Sequence, residues 1–168
     1  MSKLSQRATV GGVFTIEHVR DGKVIDKWEE PNIVVNEGLD DLLDVHLHGS
    51  TQHTTWYIGI FEGNYTPVAT DTAANIASNA TESTAYTESV RQTWVEAAAS
   101  GQSITNSANK ATFTINATKT IYGAFLVSDS TKSGTSGVLF AATKFSASRS
   151  VVATDQLLVT YTVSAASA

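Results

Sequence analysis

Apolar and polar residues alternate along most of this 168-residue chain. In ATFTIN, Ala111, Phe113 and Ile115 fall on one face and Thr112 and Thr114 on the other, the period-two spacing of a strand buried on one side. TIYGAFLVSD, GVLFAATKF and QLLVTYTV extend the pattern to Val163. Near the start, VFTIEHVRDGKVIDKW reads as two strands meeting at Asp21-Gly22, where glycine accepts the positive φ of a hairpin turn. Phe14 and Ile16 are expected to face inward; on the return strand either Val24 with Trp28, or Ile25, faces the core according to register. In TTWYIGIFEG both faces are apolar, which predicts a central strand. SVRQTWVEAAA places Val90 and Trp94 in phase as a further strand, and Gly101 to Ser107 reads as turn and loop around a short strand at Ser103–Thr105.

The period changes once. After Pro31, NIVVNEGLDDLLDVHLHG carries Leu39, Leu42, Leu43 and Leu47 at helical spacing, which predicts one short helix near residues 37–47 with Asn36 as its cap. Glu37, Asp40 and Asp41 lie where acidic groups complement the helix dipole, and Gly49 suits its end. Between the strands, ATDTAANIASNATESTAYTES has few large apolar groups and reads as part of a long surface excursion over 62–89. The expected fold is therefore mainly β: a sandwich, possibly jelly-roll-like, of about eight strands. Residues 1–12 are expected to be a flexible N-terminal arm, 13–164 one β-sandwich domain, and 165–168 a C-terminal tail.

Charge and composition narrow the partners. The net charge is −5 and the eleven basic residues are scattered, which argues against a nucleic-acid partner. No segment approaches the roughly 18 apolar residues of a membrane helix, and MSKLSQRATVGG lacks the apolar core of a secretory signal, so no membrane is expected and synthesis is expected in the cytoplasm. Zero cysteines exclude disulfides and thiolate chemistry, leaving stability to packing, ladders and neighbouring subunits.

Candidate chemistry is sparse. His46, His48 and His53 are close in sequence, but on a helix positions 46 and 48 diverge by about 200°, so polar histidines at a helix end are preferred to a metal site. There is no G-x-S-x-G elbow for a serine nucleophile. Asp40, Asp41 and Asp44 read as a solvated helix face, and STKSGTSG as a hairpin loop without phosphate-loop spacing. No enzyme, cofactor or metal is expected. Most aromatics sit in strand phase; Tyr65 and Tyr86, within the excursion, are the candidates for contacts with another subunit. Lys3 and Arg7 on the arm join them.

Several phrases together, NIVVNEGLDDLL, WYIGIFEGNYTP, YTESVRQTW, TKTIYGAFLVSDS with GVLFAATKF, and TDQLLVTYTV, resemble small virion structural proteins of tailed bacteriophages. Within that class the resemblance best suits a capsid decoration, or cement, protein. It implies a homo-oligomeric, non-enzymatic subunit on the capsid exterior, made in the host bacterial cytoplasm, whose partner is the major capsid protein. By analogy the arm and the 62–89 excursion would reach the lattice. Alternatives are a tail or head-tail connector component, or a receptor- or glycan-binding β-module.

Overall fold

The computed structural model describes residues 7–167. The chain runs through β1 (Ala8–Arg20), β2 (Lys23–Pro31), β3 (Ile33–Val34), helix α1 (Asn36–Leu43), a π-helical turn (Asp44–His48) and β4 (Trp56–Phe61). It continues through α2 (Ala73–Asn79), β5 (Gln92–Trp94), β6 (Ser103–Thr105), β7 (Ala111–Thr114), β8 (Lys119–Val127), β9 (Leu139–Val151) and β10 (Gln156–Ser167). A first sheet has the order β2-β1-β10-β6, with β7 also on β10; a second has the order β3-β9-β8-β4-β5. All pairings are antiparallel, so the fold is an all-β sandwich.

The alternation sets which side chains meet between the sheets. Phe14, Ile16, Phe113, Leu157, Val159 and Tyr161 from the first sheet pack on Ile58, Ile60, Ile121, Leu126 and Phe145 from the second. Each large side chain so buried contributes about 1.5–3 kcal/mol. The hairpin turn is at Asp21-Gly22, with φ of 51° and 74°, the paired positive values of a type I′ turn. A bulge between His18 and Val19 sets the register that turns Trp28 inward and leaves Val24 and Ile25 exposed. In β5, Trp94 is buried but Val90 lies outside the strand and is exposed.

A second apolar cluster lies on the outer face of the second sheet, where Phe61, Phe125, Val127 and Leu139 meet Ala73, Ile76 and Ala80. Two glycines make room for its rings: a Cβ on Gly123 would come within 2.1 Å of the Phe61 ring, and one on Gly59 within 2.2 Å of Phe125. Gly123 is paired with Phe61 and Gly59 with Phe125, so each ring lies over the opposite strand's glycine.

This cluster corrects the reading of 62–89 as a surface excursion. Its small residues form α2, opened by a reciprocal capping box between Thr72 and Asn75, and Ile76 and Ala80 are fully buried. Alanines supply little apolar area singly, but they let the helix lie close on the sheet. The expected arm and tail also differ: β1 begins at Ala8 and β10 runs to Ser167, and the two pair from Ala8↔Ser167 onward. The predicted helix is present as α1, but its N-cap position is Val35 and Asn36 is its first residue.

Candidate functional site at one end of the sandwich

Helix α1 is seated by a glycine. A Cβ on Gly38 would lie 2.6 Å from the Phe140 carbonyl oxygen, so the helix backbone rests directly on β9. Val35 N–H donates to that oxygen (3.1 Å), and Asn36 N–H to the Ala69 carbonyl (2.8 Å). The Glu37 carboxylate accepts from Ala73 N–H (2.8 Å) and Leu139 N–H (2.7 Å), tying α1 to α2 and to the start of β9. With Gly38 facing the sheet, Leu42 follows one turn on and packs on the core. Leu39 and Leu43, about 100° further round, emerge to solvent. The π turn that follows ends at Gly49 with φ of 80°, and Leu47 within it is 81% exposed. The predicted amphipathic stripe therefore half-buries one leucine of its four and presents three.

Beside this helix the two sheets part around an apolar cavity of about 500 Å³. It is lined by Leu42 and Val45 from α1 and the turn after it, by Val10, Ile104 and Val163 from the first sheet, and by Trp56, Trp94, Leu126 and Phe140 from the second. Trp56 meets Phe140 edge-on at 5.7 Å, and Trp94 Nε1 donates to the Tyr161 carbonyl (3.0 Å), so the indole polar edge points away from the apolar space. Polar groups stand at the rim: His53 Nε2 lies 3.2 Å from Asp41 Oδ1, and His46 Nδ1 lies 3.0 Å from the Leu42 carbonyl. Among the described residues no three His, Cys, Asp or Glu side chains converge as metal ligands. A second cleft, lined by Glu37, Asp40, Asp41, Asp44 and Asp71, runs along the other side of α1.

The residues singled out from sequence are distributed unevenly. Lys3 lies outside the described residues, and Arg7 is exposed just before β1. Tyr65 is half-buried against the outer cluster and its hydroxyl donates to Asp71 (2.8 Å), a contact within the fold that, with burial, raises its pKa. Tyr86 is 1% exposed and edge-on to Phe113 at 5.0 Å, so it belongs to the core and offers nothing to a partner; burial pushes its hydroxyl well above the usual tyrosine range. His46 and His53 reach the cavity rim while His48 remains on the outer surface.

Two buried charge clusters escaped the sequence reading. Arg91, wholly buried, donates through Nε and Nη2 to the two Glu82 oxygens (2.9 and 2.7 Å), through Nη1 to the Asp129 carbonyl and through Nη2 to the Gly134 carbonyl (both 3.0 Å). Its guanidinium also lies over the Phe125 ring at 5.3 Å. At the far end of β1, Asp155 accepts from Arg20 Nε and Nη2, meets His18 Nε2 (each 2.7 Å), and accepts from Val152 N–H (2.9 Å). The Arg20 hydrogen bonds are the main reason its carboxyl is held far below the usual range, against the opposing effect of burial. A lone arginine beside a strand-phased Trp, and an aspartate before a final strand, were the only sequence signals of either.

No family model matches this chain, and no curated protein matches its sequence.

Proposed function

We propose that the protein is a non-enzymatic structural subunit of a tailed-phage virion, binding the outer capsid shell and stabilising it as a decoration protein. The observation that carries this reading is the apolar surface at one end of the sandwich. Leu39, Leu43 and Leu47 stand exposed on a helix fixed by Gly38, beside a cavity walled by Leu42, Val45 and Trp56. Apolar side chains grouped in this way are what protein–protein contacts bury, and a helix already held in place loses little freedom on docking. The phrase NIVVNEGLDDLL, one of those carrying the resemblance to phage virion proteins, falls on this helix and its approach. Contact with the major capsid protein would favour the assembled lattice by mass action, without chemistry. The test is to add purified protein to capsids that lack it and count bound copies by electron microscopy. Binding at a fixed copy number on the shell is expected; absence of shell density, or density confined to the tail, would overturn it.

The cavity also favours a second reading, a receptor- or glycan-binding module using Trp56 as a platform. Binding to a glycan array, lost in Trp56→Ala, separates it from the first.

A further inference from the structure

At the end of the sandwich beside α1 the two sheets are filled unequally. Inward-facing positions alternate along a strand, so the inner face of β1 runs Ile16, Phe14, Gly12, Val10 and that of β10 runs Tyr161, Val163, Ala165. Phe14 and Tyr161 stack at 4.1 Å and fill the middle of the core. Beyond them these two strands supply only small side chains, whereas the second sheet keeps Trp56, Trp94 and Phe140. That shortfall leaves open the cavity of about 500 Å³.

Val10, Leu42, Val45, Trp56, Ile104 and Val163 all line this space, each from a different element, and all are only half-buried. The polar groups of the lining are largely matched among themselves. Asp41 faces His53 at 3.2 Å, His46 Nδ1 lies 3.0 Å from the Leu42 carbonyl, and Trp94 Nε1 donates to the Tyr161 carbonyl. Among the described residues no lysine or arginine lines the cavity. Water in such a space finds few hydrogen-bond partners, and an anion entering it would lose its hydration with no free counter-charge to replace it.

We propose that this cavity is a binding site for an uncharged, apolar small molecule carrying an aromatic ring system. Its volume falls within the roughly 300–1,000 Å³ of small-molecule sites, which are mostly apolar and largely formed in advance. Branched aliphatic side chains come from the first sheet and three aromatic rings from the second, and a flat ring held between them gains edge-on or offset contacts with the aromatic side. Most of the lining stands on paired strands and on the helix fixed by Gly38, so little freedom is lost on binding. Loosely held water is released from apolar surface as the ligand enters, which favours binding. The inference rests on neither role proposed above, since it concerns what the protein takes up on its own.

The probe is N-phenyl-1-naphthylamine, which is uncharged, titrated into the full chain while its fluorescence and the methyl NMR signals of the protein are followed together. Emission should rise and saturate at one probe per chain with a Kd of about 10 μM or tighter. The methyl signals that shift should be those of Val10, Leu42, Val45, Ile104 and Val163, and not those of the exposed Leu43 and Leu47. The analogue 8-anilinonaphthalene-1-sulfonate has the same rings and adds a negative charge; it should bind at least about tenfold more weakly. Ile104→Trp, which fills the cavity from β6, should weaken probe binding at least about tenfold and leave the far-ultraviolet circular dichroism spectrum unchanged. Should that variant misfold, Val45→Trp fills the space from the turn after α1. Absence of saturable binding, whether the space closes or is taken by the chain's own residues 1–6, overturns the proposal. So does equal binding of the sulfonate, or binding that survives in a folded cavity-filled variant.

Discussion

Two segments flanking the second sheet have been closed off from solvent in opposite ways. Between Asp71 and Arg91 the chain has few large apolar side chains, yet it is sunk against the sheet by Ile76, by Tyr86 and by a buried Arg91–Glu82 pair. Between Asn36 and His48 it has four leucines and leaves three in water. The first segment is held by Ile76 and by a buried Arg91–Glu82 pair bonded within the fold, and the second by the Gly38 contact and the Glu37 hydrogen bonds, which leave its apolar side chains over. Interior polarity locks a segment to its own domain; unspent apolar surface makes one available to another. On the proposed function, the contrast favours α1 over the 62–89 segment as the face for assembly.

That contrast breaks most severely at Arg91. Arg91→Met should leave the buried Glu82 carboxylate without its counter-charge and destabilise the fold by about 3–5 kcal/mol, read as a lower midpoint in urea denaturation. Asp155→Asn, at the other buried cluster, should cost about 2–3 kcal/mol at pH 7. Here pH adds a sharper readout. The folded pKa of Asp155 is depressed, so its contribution is complete above the unfolded value of about 3.9 and is lost as pH falls toward the folded one. Wild type should therefore lose stability on acidification below about pH 4, and Asp155→Asn should lose less over the same interval. The smallest stability effect belongs to α1: Leu43→Ser with Leu47→Ser should change stability by no more than about 0.5 kcal/mol for each site. Binding to capsids lacking the protein should nonetheless fall by about tenfold or more. A large stability loss there would mean the leucines serve the fold and would erase the distinction between the two segments.

Much of the scaffold was legible because period-two alternation is a direct image of a half-buried sheet. Ala111, Phe113 and Ile115 are buried and Thr112 and Thr114 are not, as their spacing required. The hairpin at Asp21-Gly22 was equally local, since a two-residue turn carries its own chemistry. Register was not: a bulge at His18 chose Trp28 over Ile25, and bulges are set by both strands together. The site was less visible still. Leucines at helical spacing announce a helix and an apolar stripe, but which of them face the sheet depended on Gly38 approaching Phe140, more than 100 residues away in sequence. Tyr86 was assigned to a partner contact because its neighbours are polar, but it inserts into the main core between the sheets, edge-on to Phe113 and bridged to Ile115, a placement that depends on β7, later in the chain.

The register of β1 on β10 has a kinetic consequence. The first sheet has these two strands at its centre, and they join residues 8–19 to residues 156–167. No shorter part of the chain contains that pairing, so the loop that must close is almost the whole molecule. The second sheet, drawn from residues 33–151, is complete in sequence before it. During synthesis β1 and β2 have to wait as a bare hairpin until β10 leaves the ribosome, and folding should be slow, in the millisecond-to-second range of domains dominated by distant strand pairs. Any surface made by the first sheet comes into being only at that last step.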